Sequence, residues 1–166
     1  MLPTITRRRL LVGAGATLGA CATLRPSAPN SFVGTNGTRF SASGAAYRIV
    51  GTNMWYAAYL GAGAPTGDRD RLKREFDRLV ALGIDKVRIH GSGEFSPLKN
   101  SVRPTFRDQT STYHASLLRG LDFALAEMGR RGMRAVIYLT SFWEWSGGMM
   151  TYLYWTNGGH YIDLND

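Results

Sequence analysis

The chain has 166 residues, enough for one domain of ordinary size, and its 44% hydrophobic, 19% charged and 11% aromatic content excludes a disordered chain. The formal net charge is +8, but three of the bases, Arg7, Arg8 and Arg9, belong to a leader. The remaining bases are scattered over two predicted helices with no basic stripe, which argues for solvated helix faces and against a nucleic-acid partner.

Residues 4–24 read TITRRRLLVGAGATLGACATL, a basic cluster followed by a short, weakly apolar run. The run is shorter than the roughly 20 apolar residues a spanning helix needs, so it reads as an export signal. Its TRRRLL resembles the twin-arginine signal, an address read by a translocase, which implies a bacterial protein that is exported already folded. Cys21 is the only cysteine, so no internal disulfide forms. It follows Leu18, Gly19 and Ala20, which resembles a lipobox whose thiol would carry diacylglycerol; ordinary cleavage at nearby small residues is the alternative. The expected location is therefore periplasmic, secreted or lipid-anchored, and a lipid on Cys21 is the one membrane attachment expected. GAGATLG, residues 13–19, has the look of a dinucleotide-binding loop. Three arginines stand where a strand should precede it, and Pro26 and Pro29 follow, so no dinucleotide and no other cofactor is expected. The expected division is signal over 1–24, linker over 25–31 and fold over 32–166.

Phe32-Val33 and residues 38–41 flank GTNG, which predicts a small hairpin with GTNG as its turn. Residues 47–53, YRIVGTN, read as the first core strand. Asp68 is the expected N-cap of a helix running to about Leu82, with Leu72, Phe76, Leu79 and Val80 on one apolar face. Gly83 ends it, and 85–90 is a second strand. After a long polar loop over 91–112, a helix is expected over 113–131 with Leu117, Leu121, Ala124, Leu125 and Met128 in phase; Gly132 stops it, and 134–139 is a third strand.

GIDKVRIH from Gly83 and GMRAVIYL from Gly132 repeat one grammar of glycine, apolar residue, two spacers and strand. Strands alternating with helices at this spacing predict parallel βα units. An open nucleotide-binding sheet would carry a glycine-rich phosphate turn after its first strand, and MWYAAYLG stands there instead. Polar and aromatic residues follow each strand: Asn53 and Trp55, then Arg88 and His90, then Ser141 and Trp143. That is where a (β/α)8 barrel builds its site. A barrel needs eight strands and typically about 250 residues, so the expectation is an α/β chain carrying the amino-terminal hairpin and about three βα units of a TIM barrel.

The third strand runs into SFWEWSGGMMTYLYW, which crowds Phe142, Trp143, Trp145, Tyr152, Tyr154 and Trp155 around two glycines. A sugar ring has polar edges and a face of C–H groups, and flat aromatics supply apolar area at little entropy cost. The cluster at a strand end predicts a polysaccharide platform, although each aromatic taken alone could be core.

GTNMWYAAYLG, LGIDKVRIHGSGE and GLDFALAEMGRRGMRAVIYLTSFWEWSGGMMTYLYW together resemble the amino-terminal part of glycoside hydrolase family 5, in particular its endo-β-1,4-mannanases. The resemblance implies a retaining hydrolase acting on β-1,4-mannan. One glutamate after the fourth strand would be the acid/base and another after the seventh the nucleophile, about 5–5.5 Å apart. Neither falls in this sequence, so the chain is expected to be an amino-terminal fragment, inactive alone. Glu94 and Glu144 each follow a strand, but neither stands in the Asn-Glu context of the acid/base; carboxylates beside a sugar cleft also bind hydroxyls. Arg88 matches the arginine that ends the family's second strand, where a fixed guanidinium would orient the nucleophile and keep it ionised. Asn53 and Trp55 match the first-strand motif, Trp143 matches a third-strand aromatic, and Glu144 and Trp145 are weaker substrate contacts. His90 departs from the apolar or aromatic residue common there and is either a cleft hydrogen bonder or a core histidine. His114 and His160 lack ligand spacing with it, so no metal is expected. A β-glucanase or cellulase of the same family, and a non-catalytic carbohydrate-binding remnant, stay open as alternatives.

Overall fold

A computed structural model of the protein describes residues 32–97 and 100–162. The expected signal, the lipidation site Cys21 and the linker lie outside the described residues.

The hairpin is present with a shifted turn. β1 (Gly34–Asn36) pairs antiparallel with β2 (Arg39–Ala42), and β3 (Ala45–Ala46) pairs with the far side of β2. Gly34, Thr35 and Asn36, expected in the turn, are ladder residues; the turn is Gly37-Thr38, with Gly37 at φ 59°. β3 has two residues, too few to show any period.

The second sheet is parallel, in the order β4 (Gly51–Asn53), β5 (Lys86–His90), β6 (Arg134–Tyr138). The first core strand is shorter than the expected 47–53: the ladder begins at Gly51, and Ile49 and Val50 are exposed. Between β4 and β5 come α1 (Ala57–Gly61), which the sequence reading leaves out, and α2 (Arg69–Ala81); α3 (Ala115–Arg130) joins β5 to β6.

The capping and periodicity arguments hold for α2. The Asp68 side chain accepts from the Arg71 N–H at 2.8 Å, satisfying one of the first-turn donors that have no intrahelical partner. Leu72 and Phe76 are fully buried, whereas Val80 is 42% exposed and lies off the buried stripe. α3 starts two residues later than expected because Tyr113 bridges to Arg107 and His114 takes the N-cap. Leu72, Phe76, Val87, Ile89, Ala124, Met128 and Met133 form one cluster between the helices and the sheet.

α1 crosses α3 at backbone contact. A Cβ on Gly120 would lie 2.1 Å from the Ala58 carbonyl oxygen, and one on Gly61 2.2 Å from that of Gly120. No larger residue fits either position without moving a helix.

The glycine-anchored repeat would match Val87 with Val136, but the ladder pairs Val87 with Ala135 and Arg88 with Val136. One residue of register exchanges the faces of a strand. Val87 and Ala135 therefore pack toward the helices, and Asn53, Arg88 and Val136 stand side by side on the opposite face, all exposed. After β6 the chain forms a 3-10 turn (Glu144–Ser146) and α4 (Met149–Thr156), in a stretch read from sequence only as an aromatic platform.

Candidate functional site

The expected residues meet at the C-terminal edge of the parallel sheet. Met54 N–H donates to the Arg88 carbonyl and His90 N–H to the Trp55 carbonyl, so the segment after β4 is tied to β5 and brings Trp55 over the strand end. Trp55 then makes edge contacts with Tyr59, His90 and Trp145, the last at 5.2 Å between centroids. Residues 35 to 90 positions apart in sequence thereby share one aromatic cluster.

Arg88 is exposed, and its guanidinium lies 3.8 Å from the centroid of the Tyr138 ring. Stacking on a ring fixes a planar cation while leaving its N–H donors free for a carboxylate or a sugar oxygen. Burial raises the Tyr138 phenol above its ordinary pKa, partly offset by Arg88. Tyr138 is absent from the expected site residues, although its place at the end of RAVIYL matches that of His90 across the ladder.

His90 is a buried residue rather than an open cleft group. It is 1% exposed and its ring lies 4.3 Å from that of Tyr138 and 5.5 Å from that of Trp145. Burial, then the nearby Arg88, lowers its pKa to about 4, so the imidazole is neutral at ordinary pH. Neither ring nitrogen has a hydrogen-bond partner among the described residues.

The segment after β6 divides into exposed and buried parts. Trp143 is 61% exposed and packs edge-on against Phe142, itself exposed. Trp145 is tied back by its carbonyl, which accepts from Val102 N–H at 2.7 Å. Glu144 opens the 3-10 turn, and one of its carboxylate oxygens is buried without a partner among the described residues. Glu94 is 1% exposed and engaged by three donors, so it does not present a free acid. The loop over 91–112, expected to be polar and irregular, carries fully buried Phe106. Its edge contact with Tyr59 roots this loop on α1.

An exposed arginine stacked at a strand end, bordered by an exposed tryptophan and a wall of partly buried aromatics, is a surface suited to a sugar. Residues 30–165 match the family model described as GH family 5 beta-mannosidase-like. The chain belongs to glycoside hydrolase family 5. It resembles mannan endo-1,4-beta-mannosidase 1 of Arabidopsis thaliana, 29% identical over 75% of this chain and 29% of that protein. It also resembles mannan endo-1,4-beta-mannosidase F of Aspergillus clavatus, 27% identical over 77% of this chain and 30% of the relative. Among solved structures, a family 5 mannosidase from Rhizomucor miehei superposes with a TM-score of 0.75, at 33% identity, over 81% of this chain and 33% of the other. An endo-1,4-beta-mannanase from the same organism, at 23% identity and a TM-score of 0.61, shares the fold. The family 5 chain thus spans about a third of the length of these relatives, and its parallel units are part of the expected (β/α)8 barrel.

Proposed function

We propose that the protein hydrolyses β-1,4-linked mannan with retention of configuration, the sugar lying over Arg88, Tyr138 and Trp143. The observation that carries this reading is that the curated relatives, which share the chain's segments on both sides of the rim, are named mannan endo-1,4-beta-mannosidases. The geometry supports it: Arg88 keeps free donors beside Asn53, and Trp143 presents an apolar face at the same edge. In a retaining mechanism the nucleophilic carboxylate attacks the anomeric carbon as the acid protonates the leaving oxygen, and water then resolves the glycosyl-enzyme. Within this chain the contribution is orientation: the stacked guanidinium would hold the nucleophile ionised. The two catalytic glutamates are assigned to no residue of this chain.

A second reading, attack at the chain end, is favoured by the higher identity to the R. miehei mannosidase, one form of which is described in complex with mannosyl-fructose, 34% identical. Incubating the longest form that the gene encodes with mannohexaose and with carboxymethylcellulose tests both. Release of mixed short oligosaccharides supports endo cleavage, and release of mannose alone supports the end-acting reading. Cleavage of cellulose with mannan left intact would overturn the substrate assignment, and binding without cleavage would favour a carbohydrate-binding role.

We also propose export by the twin-arginine route, from the TRRRLL leader, with Cys21 as the lipid-bearing residue. Mass spectrometry of the processed amino terminus tests it: a diacylglyceryl group on Cys21 is expected, and an unmodified or internally cleaved terminus would contradict it.

A further inference from the structure

We propose that Glu94 is a positioning residue that clamps the tryptophan-bearing turn against the end of β5; that the turn meets sugar rests on the reading above. Glu94 lies four residues beyond the end of β5 and is 1% exposed. One carboxylate oxygen accepts from the Ser92 hydroxyl at 2.8 Å and from the Tyr152 hydroxyl at 2.9 Å. The other accepts from the backbone N–H of Gly148 at 2.8 Å. The Glu94 N–H in turn donates to the Ser146 carbonyl at 3.2 Å. A single residue therefore holds the turn after Trp143 and Trp145 and the first turn of α4, 52 to 58 positions further along the chain.

The two glycines are what let the carboxylate come so close. A Cβ on Gly147 would lie 2.4 Å from the Glu94 nitrogen, and one on Gly148 2.1 Å from the Ser141 carbonyl oxygen; both glycines have positive φ, 95° and 81°. Arg107 closes the far side: its guanidinium donates to the Tyr152 hydroxyl at 3.2 Å and lies 5.7 Å from the Trp155 ring centroid. Tyr152 thus accepts from the arginine and donates to the carboxylate, and desolvation together with Glu94 raises its phenol above the ordinary value, so it stays a donor. A buried carboxylate with all its partners supplied by one loop fixes that loop rather than reacting.

Chemistry separates a clamp from a catalytic acid. Glutamine at 94 can still accept from Gly148 N–H through its oxygen, and its amide can donate to the Ser92 and Tyr152 hydroxyls, which also accept. Alanine removes all three bonds. The test uses the longest form that the gene encodes. Peptide-level hydrogen exchange over 141–156 and kinetics on mannohexaose are compared for wild type, Glu94→Ala and Glu94→Gln. The expected result is faster exchange over 141–156 in Glu94→Ala, with KM raised about tenfold or more and kcat within about twofold, since misplacement at the ångström scale costs up to about 100-fold. Glu94→Gln should resemble wild type in both readouts. Unchanged exchange and KM in Glu94→Ala, or Glu94→Gln as damaging as alanine, or a fall in kcat with KM unchanged, would each overturn the proposal. Should Glu94→Ala not fold, Tyr152→Phe removes one donor and keeps the ring; it should speed exchange in the same segment, and unchanged exchange would again overturn the clamp. Faster exchange in Glu94→Ala from a wild type that does not bind mannohexaose would overturn the sugar reading alone.

Discussion

The two faces of the parallel sheet are built by different means. Toward the helices, Leu72, Phe76, Val87, Ile89 and Met128 interlock with no more than 1% exposure, and each contact follows from a helix or strand period. At the C-terminal edge and on the opposite face, Asn53, Arg88, Val136 and Trp143 are exposed, and order comes from ring contacts, glycine close approaches and a buried carboxylate. The helix side therefore carries stability, and the rim holds a surface open. A mutation should reveal which side it touches by whether folding or sugar recognition changes.

The largest effect belongs to the helix side. Phe76→Ala should cost about 3–5 kcal/mol of folding free energy, since it empties a fully buried position with little room to collapse. Denaturant titration measures it, and a cost below about 1 kcal/mol would mean that the helix layer is loosely packed. His90 tests the border between the two regions. Its folded pKa of about 4 lies below the ordinary 6.5, so the unfolded chain binds the proton first as pH falls. The neutral-histidine stability is fully present above about pH 6.5 and is lost progressively toward pH 4, a total of roughly 3 kcal/mol. Subtracting the stability of His90→Phe from that of wild type at pH 7 and pH 4 should recover this difference; equal values at both pH would contradict the burial account. Gly120→Ala comes next. Its Cβ has only the Ala58 carbonyl and the Ala62 backbone to meet, so α1 must shift, at a cost of roughly 1–3 kcal/mol. A thermal unfolding midpoint equal to wild type would show that α1 is free to move away.

Legibility in the sequence divides along the same line. α2 and α3 announce themselves because Leu72 and Phe76, and Leu117, Ala124 and Met128, recur at helical spacing and Asp68 is a strong N-cap. The parallel grammar and the family were legible too, since strand ends carry Asn53, Arg88 and Trp143 in order. α1 was not, because only five residues carry it and its packing needs Gly120 from a helix 59 positions away. The neighbouring face of β6 was misphased because glycines mark helix ends, whereas register is set by ladder bonds. The clamp on Gly148 escaped the sequence because a carboxylate 54 positions away has no period to announce it. His90, left open between cleft and core, is resolved by its neighbours: Trp55, Tyr138 and Trp145 enclose it.

Trp143 separates the two faces most directly. It is 61% exposed, so Trp143→Ala should change folding free energy by no more than about 0.5 kcal/mol. It should also weaken mannohexaose binding about tenfold, equivalent to roughly 1.4 kcal/mol. The decisive measurement is a calorimetric titration of mannohexaose into wild type and Trp143→Ala, in the longest form the gene encodes, with unfolding curves recorded on the same samples. Matching unfolding with weakened binding is the result the account predicts. Equal affinity in the two proteins, or a loss of stability that accompanies the loss of binding, would contradict it.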